Sequence, residues 1–258
     1  MNLGLEGKVA IITGASRGIG RGVAQGLAAE GCALVLCARQ AEPLTQAADE
    51  LRATGADVLA LPLDVTAPEA GTRLAEAALH RFGRIDVFVG NAGGNRRKPF
   101  DETTDADWDE LLTINLHAHV RTSRAVIPAM KAAGQGAILF ITSIFGREAG
   151  GPGLVLYNST KSALISAAKI MALELAPFGI RVNTVAPGSI RFPGSSWDKR
   201  CLEDPDGMAV FIRQNLPFGR FGTVAEVADV VTFLVSARAG WVSGACVNVD
   251  GVQSRSLI

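Results

Sequence analysis

The chain has 258 residues, 48% of them apolar, enough for a sizeable core in one large α/β domain or two small ones. Basic and acidic residues balance at 25 each, which argues against a protein that coats nucleic acid or a membrane surface; a small acidic ligand stays open, because a local site need not show in the total. Four scattered cysteines (Cys32, Cys37, Cys201, Cys246) form no CxxC pair and read as reduced thiols, and three histidines do not complete a ligand set, so no metal is expected.

Short apolar runs at 8–13 (KVAIIT), 33–37 (ALVLC), 57–61 (DVLAL), 86–90 (DVFVG), 137–142 (AILFIT), 180–185 (IRVNTV) and 245–249 (ACVNV) predict strands. Most are apolar without alternation, as a sheet covered on both faces requires. Helical patterns fall between them at 18–30, 42–54, 68–82, 105–133, 154–177 and 224–236. This succession predicts a parallel sheet with helices on both sides. No linker or repeat divides the chain, so one domain over 1–258 is expected. The densest loop signals lie at 187–222, where a mobile, lid-like insert is expected over about 188–220. The start, MNLGLEGKVAIIT, carries no basic leader, and no run reaches the roughly 18 to 20 apolar residues of a membrane span. A soluble cytoplasmic protein is expected.

Two constellations carry chemistry. In TGASRGIG (13–20), Gly14, Gly18 and Gly20 follow a strand and open a helix. Glycine there permits backbone conformations closed to other residues and lets the chain approach a pyrophosphate at the helix N-terminus. Tight turns use the same residues, so the trio alone is weak. Dinucleotide folds also place an acidic residue about 20 positions on, against the ribose 2′-hydroxyl. Here LVLCARQ (34–40) ends its strand in Ala38 and Arg39, with no carboxylate. Either the turn is a false match, or the ligand carries something negative at that hydroxyl. The second constellation is YNSTK: Tyr157, the only tyrosine, and Lys161 share a helix face four residues apart. The lysine charge is expected to favour the phenolate, bringing a group of pKa about 10 toward working range. Tyr-xxx-Lys pairs are common on solvated helices, but this one follows a strand ending in Thr142–Ser143.

With these pieces the chain resembles the short-chain dehydrogenase/reductase family from Lys8 to about Gly251. The resemblance rests on TGASRGIG, LDV (63–65), NAG (91–93), INL (114–116), ITS (141–143), YNSTK and PG (187–188). It implies a Rossmann-type, doubly wound parallel α/β sheet of about seven strands with helices on both faces. It also implies a small-molecule carbonyl or alcohol substrate. Tyr157 would be the proton donor in reduction and the base in oxidation; Ser143 would hold the substrate oxygen. Lys161 would tune Tyr157 and bind the nicotinamide ribose, and Asn115 would interrupt its helix and anchor a water leading to Lys161. The implied cofactor-binding set comprises Gly14, Ser16, Arg17, Gly18, Ile19, Gly20, Arg39, Asp64, Val65, Asn91, Ala92, Gly93, Tyr157, Lys161, Pro187, Gly188 and Ile190. Basic residues at Arg17 and Arg39, with no opposing acid, imply NADP(H) over NAD(H).

Two departures stand out. Gly90 occupies a place where the family often has asparagine, a change read as neutral. Phe192 stands where a cofactor-contacting threonine is common, with Ser195 or Ser196 as substitutes. Substrate choice is expected in the loop after the fourth strand, the turn after Ser143 and the lid. Arg96, Arg97, Lys98 and Arg191 form a basic rim suited to an acidic substrate or to plain solvation. Phe145, Leu154, Phe192 and Trp197 are candidates for an apolar wall. MKAAGQG and ELAPFGI lack the arginines of acyl-carrier-protein reductases, which favours a general NADPH-linked carbonyl reductase. The alternatives are a 3-oxoacyl thioester reductase, an NAD-linked alcohol or sugar dehydrogenase, and a non-catalytic dinucleotide sensor. The resemblance also implies a homotetramer or homodimer built on 105–133 and 154–177.

Overall fold

Residues 2–257 are described in a computed structural model. Among them lie the strands β1 (Val9–Thr13), β2 (Ala33–Ala38), β3 (Val58–Pro62), β4 (Val87–Gly90), β5 (Gly136–Ile141), β6 (Ile180–Pro187) and β7 (Cys246–Val249). The helices are α1 (Gly18–Ala29), α2 (Ala41–Ala53), α3 (Ala70–Phe82), α4 (Asp105–Leu112), α5 (Ala118–Ala133), α6 (Val155–Leu175), α7 (Ser196–Glu203), α8 (Pro205–Asn215) and α9 (Val224–Val235). The strands form one seven-stranded parallel sheet in the order β3-β2-β1-β4-β5-β6-β7, a doubly wound α/β architecture.

Alternate side chains of each strand enter opposite layers. Ile12, Leu34, Leu36 and Val89 pack with Val23 and Leu27 of α1 and Val227 and Val231 of α9. Ile11, Val35, Phe88 and Phe140 face the other way, onto Leu74 of α3, Val126 of α5 and Leu164 of α6. Each such side chain, at or near complete burial, contributes about 1.5–3 kcal/mol. This two-sided burial is why the strands read as unbroken apolar runs. On one face of α1, Gly22 and Gly26 let the helix close onto α9: a Cβ at Gly26 would lie 2.7 Å from Thr232 Oγ1.

Strand order reverses between β1 and β4, which opens a crevice beyond their carboxyl ends. The groups named from the sequence sit along that edge. Two expectations need correction. The pattern at 105–133 is not one α-helix: α4 and α5 are joined by a π-helical turn over Thr113–His117. The segment at 188–220, expected as a lid-like insert with no helix of its own, contains α7 and α8. Ser195 and Asp204 cap their first turns, and Trp197 stacks on Phe211 with centroids 4.8 Å apart. Gly and Pro punctuation there marks helix ends, which resemble loop signals in sequence. Cys32 and Cys37 are free and buried, and burial pushes both thiols up to about 12. Among the described residues no helix is long and apolar enough to cross a membrane.

Candidate active site

The glycine turn runs from the end of β1 into α1. Gly14 (φ +67°) and Gly18 (φ +57°) occupy the left-handed region that favours glycine. The first turn of α1 has neither a capping side chain nor an acidic residue, so its N–H groups are left to attract an anion. Ser16 and Ile19 are half-buried beside it, and Arg17 is exposed with no ion pair among the described residues. Thr13, to which the sequence assigned no role, ties the turn to β4: its Oγ1 accepts from the N–H groups of Asn91 and Ala92, both at 3.1 Å. The Asn91 amide donates to the carbonyls of Thr13 (2.9 Å) and Gly14 (3.1 Å). A Cβ at Gly20 would strike that amide.

At the end of β2, Arg39 is exposed and makes no ion pair among the described residues. An opposing acid is nearer than the sequence suggested. Burial alone would raise the Asp64 carboxyl, but bonds from Thr66 and the charge of Arg39 hold it below its ordinary value. Val65 is buried beside it. Pro187 ends β6, Gly188 N–H donates to Val249 O (3.1 Å), and Ile190 is buried against Gly222. Phe192 lies on the glycine turn, where a Cβ at Gly18 would come within 2.5 Å of its ring. Ser195 is occupied: its Oγ accepts from Asp198 N–H and Phe192 N–H. A glycine cradle, an uncapped helix start and two arginines without ion pairs among the described residues, Arg17 and Arg39, together fit a dinucleotide.

Ser143, just past β5, begins a short 3₁₀ turn and accepts from Phe145 N–H at 3.2 Å. In the first turn of α6, Tyr157 faces the same cleft as Ser143, close enough for the serine hydroxyl to act on its pKa. The Lys161 ammonium lies 5.8 Å from the Tyr157 ring centroid and donates to Ile141 O at 3.0 Å. Burial pushes the Tyr157 hydroxyl up, against the opposing pull of the Ser143 hydroxyl, and pushes Lys161 down to about 8. The expected lowering of the phenol is thus not what this geometry gives: burial disfavours phenolate and ammonium alike.

Asn115 sits in the π-helical turn, fully buried. Its Oδ1 accepts from Gly94 N–H and its Nδ2 donates to Gly94 O, both at 2.9 Å, and to Thr160 Oγ1 at 3.1 Å. The widened turn frees this side chain to clamp the strand loop instead of packing along the helix. Gly93 lies between it and the lysine: a Cβ there would stand 3.0 Å from Asn115 Oδ1 and 3.4 Å from Lys161 Nζ.

Gly90 is not a neutral change. A Cβ on it would sit 2.5 Å from His119 Nδ1 and 2.8 Å from the Phe140 ring. His119, fully buried beneath the strand end, is held neutral by that burial, with the Lys161 charge adding to it, at about 3. Its folded value lies below the ordinary 6.5. The stability it contributes is therefore complete above that pH and lost as pH falls toward 3. Gly90→Ala is expected to cost about 1–3 kcal/mol through overpacking, seen as a lower urea midpoint at unchanged slope.

A cleft of about 1060 Å³ opens over Ser143 and Tyr157. Phe145, Leu154 and Trp197 line it as expected, whereas Phe192 does not. The tail after β7 lines it too, through Gln253, which accepts from Ser189 N–H at 2.7 Å, and Arg255. Nothing in the sequence pattern signals that return of the chain. The expected basic rim is largely neutralised. Arg96 pairs with Asp107 and Glu110, Lys98 with Asp107 (2.8 Å) and Arg191 with Asp198 (2.9 Å); only Arg97 of the four lines the cleft. The acids Asp107 and Glu110 come from the following helix, one turn apart. Such an arrangement is that of a dinucleotide-linked oxidoreductase working on CH–OH and C=O groups.

Comparison with known proteins agrees with that class. The family model described as short chain dehydrogenase matches residues 8–199, and the chain belongs to this family. It is 36% identical to the 3-oxoacyl-[acyl-carrier-protein] reductase of Escherichia coli K12, covering 96% of this chain and 98% of that protein. The L-sorbose reductase of Gluconobacter frateurii, solved with NADPH and L-sorbose, superposes with a TM-score of 0.95 at 36% identity and full coverage of both chains. A 7α-hydroxysteroid dehydrogenase solved with NADH and 7-oxo glycochenodeoxycholic acid gives 0.91 at 33% identity, covering 100% of this chain and 98% of that one.

Proposed function

We propose that the protein reduces a ketone to a secondary alcohol, reversibly, with NADPH as its preferred dinucleotide. The observation that carries this reading is that Ser143 and Tyr157 line one cleft, beside buried Lys161, on the sheet edge that also presents the glycine turn. Tyr157 gives its proton to the carbonyl oxygen, and Ser143 holds that oxygen by hydrogen bonding. Lys161, cationic at neutral pH, stabilises the charge left on Tyr157 as the proton leaves. Asn115 keeps Gly94 and α6 in register with Lys161. Gly14, Ser16, Gly18, Ile19 and Gly20 would hold the pyrophosphate side, and Arg17 with Arg39 would clamp a 2′-phosphate. Arg39, Asp64, Val65, Asn91, Ala92 and Gly93 would hold the adenosine side, and Pro187, Gly188 and Ile190 the other end. When bound, the nicotinamide supplies the hydride that reaches the carbonyl carbon.

The preference for NADPH is supported by unpaired Arg17 and Arg39, and NADPH accompanies the sorbose reductase neighbour. The steroid dehydrogenase neighbour carries NADH, so the two cofactors must be compared directly. Titration by fluorescence is expected to give much tighter binding of NADPH than of NADH. Equal or tighter NADH binding would overturn the preference and favour an alcohol-oxidising enzyme. A second reading, reduction of a 3-oxoacyl thioester, is favoured by the likeness to the E. coli enzyme. Faster turnover of acetoacetyl-coenzyme A than of any simple ketone would establish it. We place the reaction in one unit spanning the chain, in an assembly of two or four copies.

A further inference from the structure

The geometry points to a ketone bearing a carboxylate as the substrate class, bound by Arg97, Arg200 and Arg255 across the cleft from Ser143 and Tyr157; this rests on the reductase reading above. The three arginines come from distant parts of the chain: the loop after β4, helix α7 and the tail after β7. All three line the cleft over the proton donor. Among the described residues none has a carboxylate partner, whereas Arg96 and Lys98, which flank Arg97, are paired with Asp107, and Arg191 is paired with Asp198 of α7. Arg97 donates only to Pro152 O, at 3.3 Å. The Arg200 guanidinium lies over the Trp197 ring, 5.0 Å from its centroid.

The chain has as many acidic as basic residues, so three unpaired guanidinium groups round one cleft are a local excess. One carboxylate, that of Glu148, lines the same cleft. Its Oε2 already accepts from the N–H groups of Arg255 (3.0 Å) and Ser256 (3.1 Å), which anchors the tail. The cleft therefore keeps a net positive field, concentrated by its low-dielectric walls. A guanidinium recognises a carboxylate through two parallel hydrogen bonds and is less strongly hydrated than an ammonium. Phe145, Leu154 and Trp197 form the wall of the cleft and suit an apolar spacer. The fitting ligand has its carbonyl at Tyr157 and its carboxylate at the arginines, with a short aliphatic segment between.

The test uses the enzyme with NADPH bound and levulinate with its next two higher homologues, each beside its methyl ester. Binding is read from the change in NADPH fluorescence and turnover from NADPH consumption. At least one acid is expected to bind about tenfold tighter than its ester, the advantage of a charge-assisted hydrogen bond, and to lose that advantage as salt rises. Arg97→Gln and Arg200→Gln, made separately, are expected to draw the acid-to-ester ratio toward one with NADPH affinity unchanged. Esters bound as tightly as acids, a neutral ketose such as L-sorbose bound more tightly than every acid, or no binding of any acid would overturn the assignment. Reduction of an ester with no acid preference removes only the substrate class. Failure to bind NADPH, or binding without consumption with any ketone, removes the reductase reading itself.

Discussion

Replacing Tyr157 with phenylalanine is expected to lower turnover by about three orders of magnitude, in the range for loss of a positioned general acid, while NADPH still binds. Phenylalanine keeps the ring, its place in α6 and its contact with the Lys161 ammonium; only the hydroxyl beside Ser143 is lost. Steady-state kinetics with a ketone, alongside a fluorescence titration of the cofactor, separates the two effects. Substantial residual activity would mean that the proton comes from elsewhere. The pH dependence follows from the same burial. With the Tyr157 hydroxyl pushed up, ketone reduction keeps its proton donor through neutrality and declines on the alkaline side. Alcohol oxidation needs the deprotonated form and is expected to rise with pH over that range.

The Arg39→Asp variant is expected to weaken NADPH by about a hundredfold through loss of a charge-assisted bond and gain of a repulsion, and to leave NADH little affected. Arg39 ends β2 exposed and without an ion pair among the described residues, while Asp64 lies near enough for its carboxyl to feel the guanidinium. An aspartate there would place a second carboxylate beside Asp64, toward which a 2′-phosphate is repelled and a free 2′-hydroxyl is not. Comparing dissociation constants for the two cofactors in the variant and the parent protein reads the effect. Equal losses for both would assign Arg39 to stacking on adenine or to local structure. Arg17, the N-cap of α1 within the glycine turn, offers an independent check by the same titrations.

What the sequence by itself determined was local and periodic. Strands such as VAIIT and ALVLC declare themselves because both faces of the sheet are covered, so nearly every residue is apolar. The glycine turn declares itself because its backbone needs left-handed residues at fixed positions. Tyr157 and Lys161 could be paired because four residues is one helical turn. Lysines and arginines, by contrast, are legible as types but not as free or spent. Arg96, Lys98 and Arg191 looked like a binding rim, yet their partners Asp107 and Asp198 arrive only when α4 and α7 form. Gly90 looked neutral because the histidine it accommodates, His119, lies 29 positions away on another element.

The direction of the Tyr157 shift was equally a tertiary matter. Its size and sign depend on how much of the phenol and the ammonium is withdrawn from water, and spacing along a helix carries no burial. The path of the last residues is of the same kind. Gln253 and Arg255 reach the cleft because Gln253 bonds Ser189 and Glu148 holds the backbone of Arg255, contacts that span 64 and 107 positions. Patterns repeat within an element, where geometry is set by φ and ψ. Which charge is neutralised, which glycine is indispensable and what closes the cleft depend on residues that meet only after the sheet has assembled.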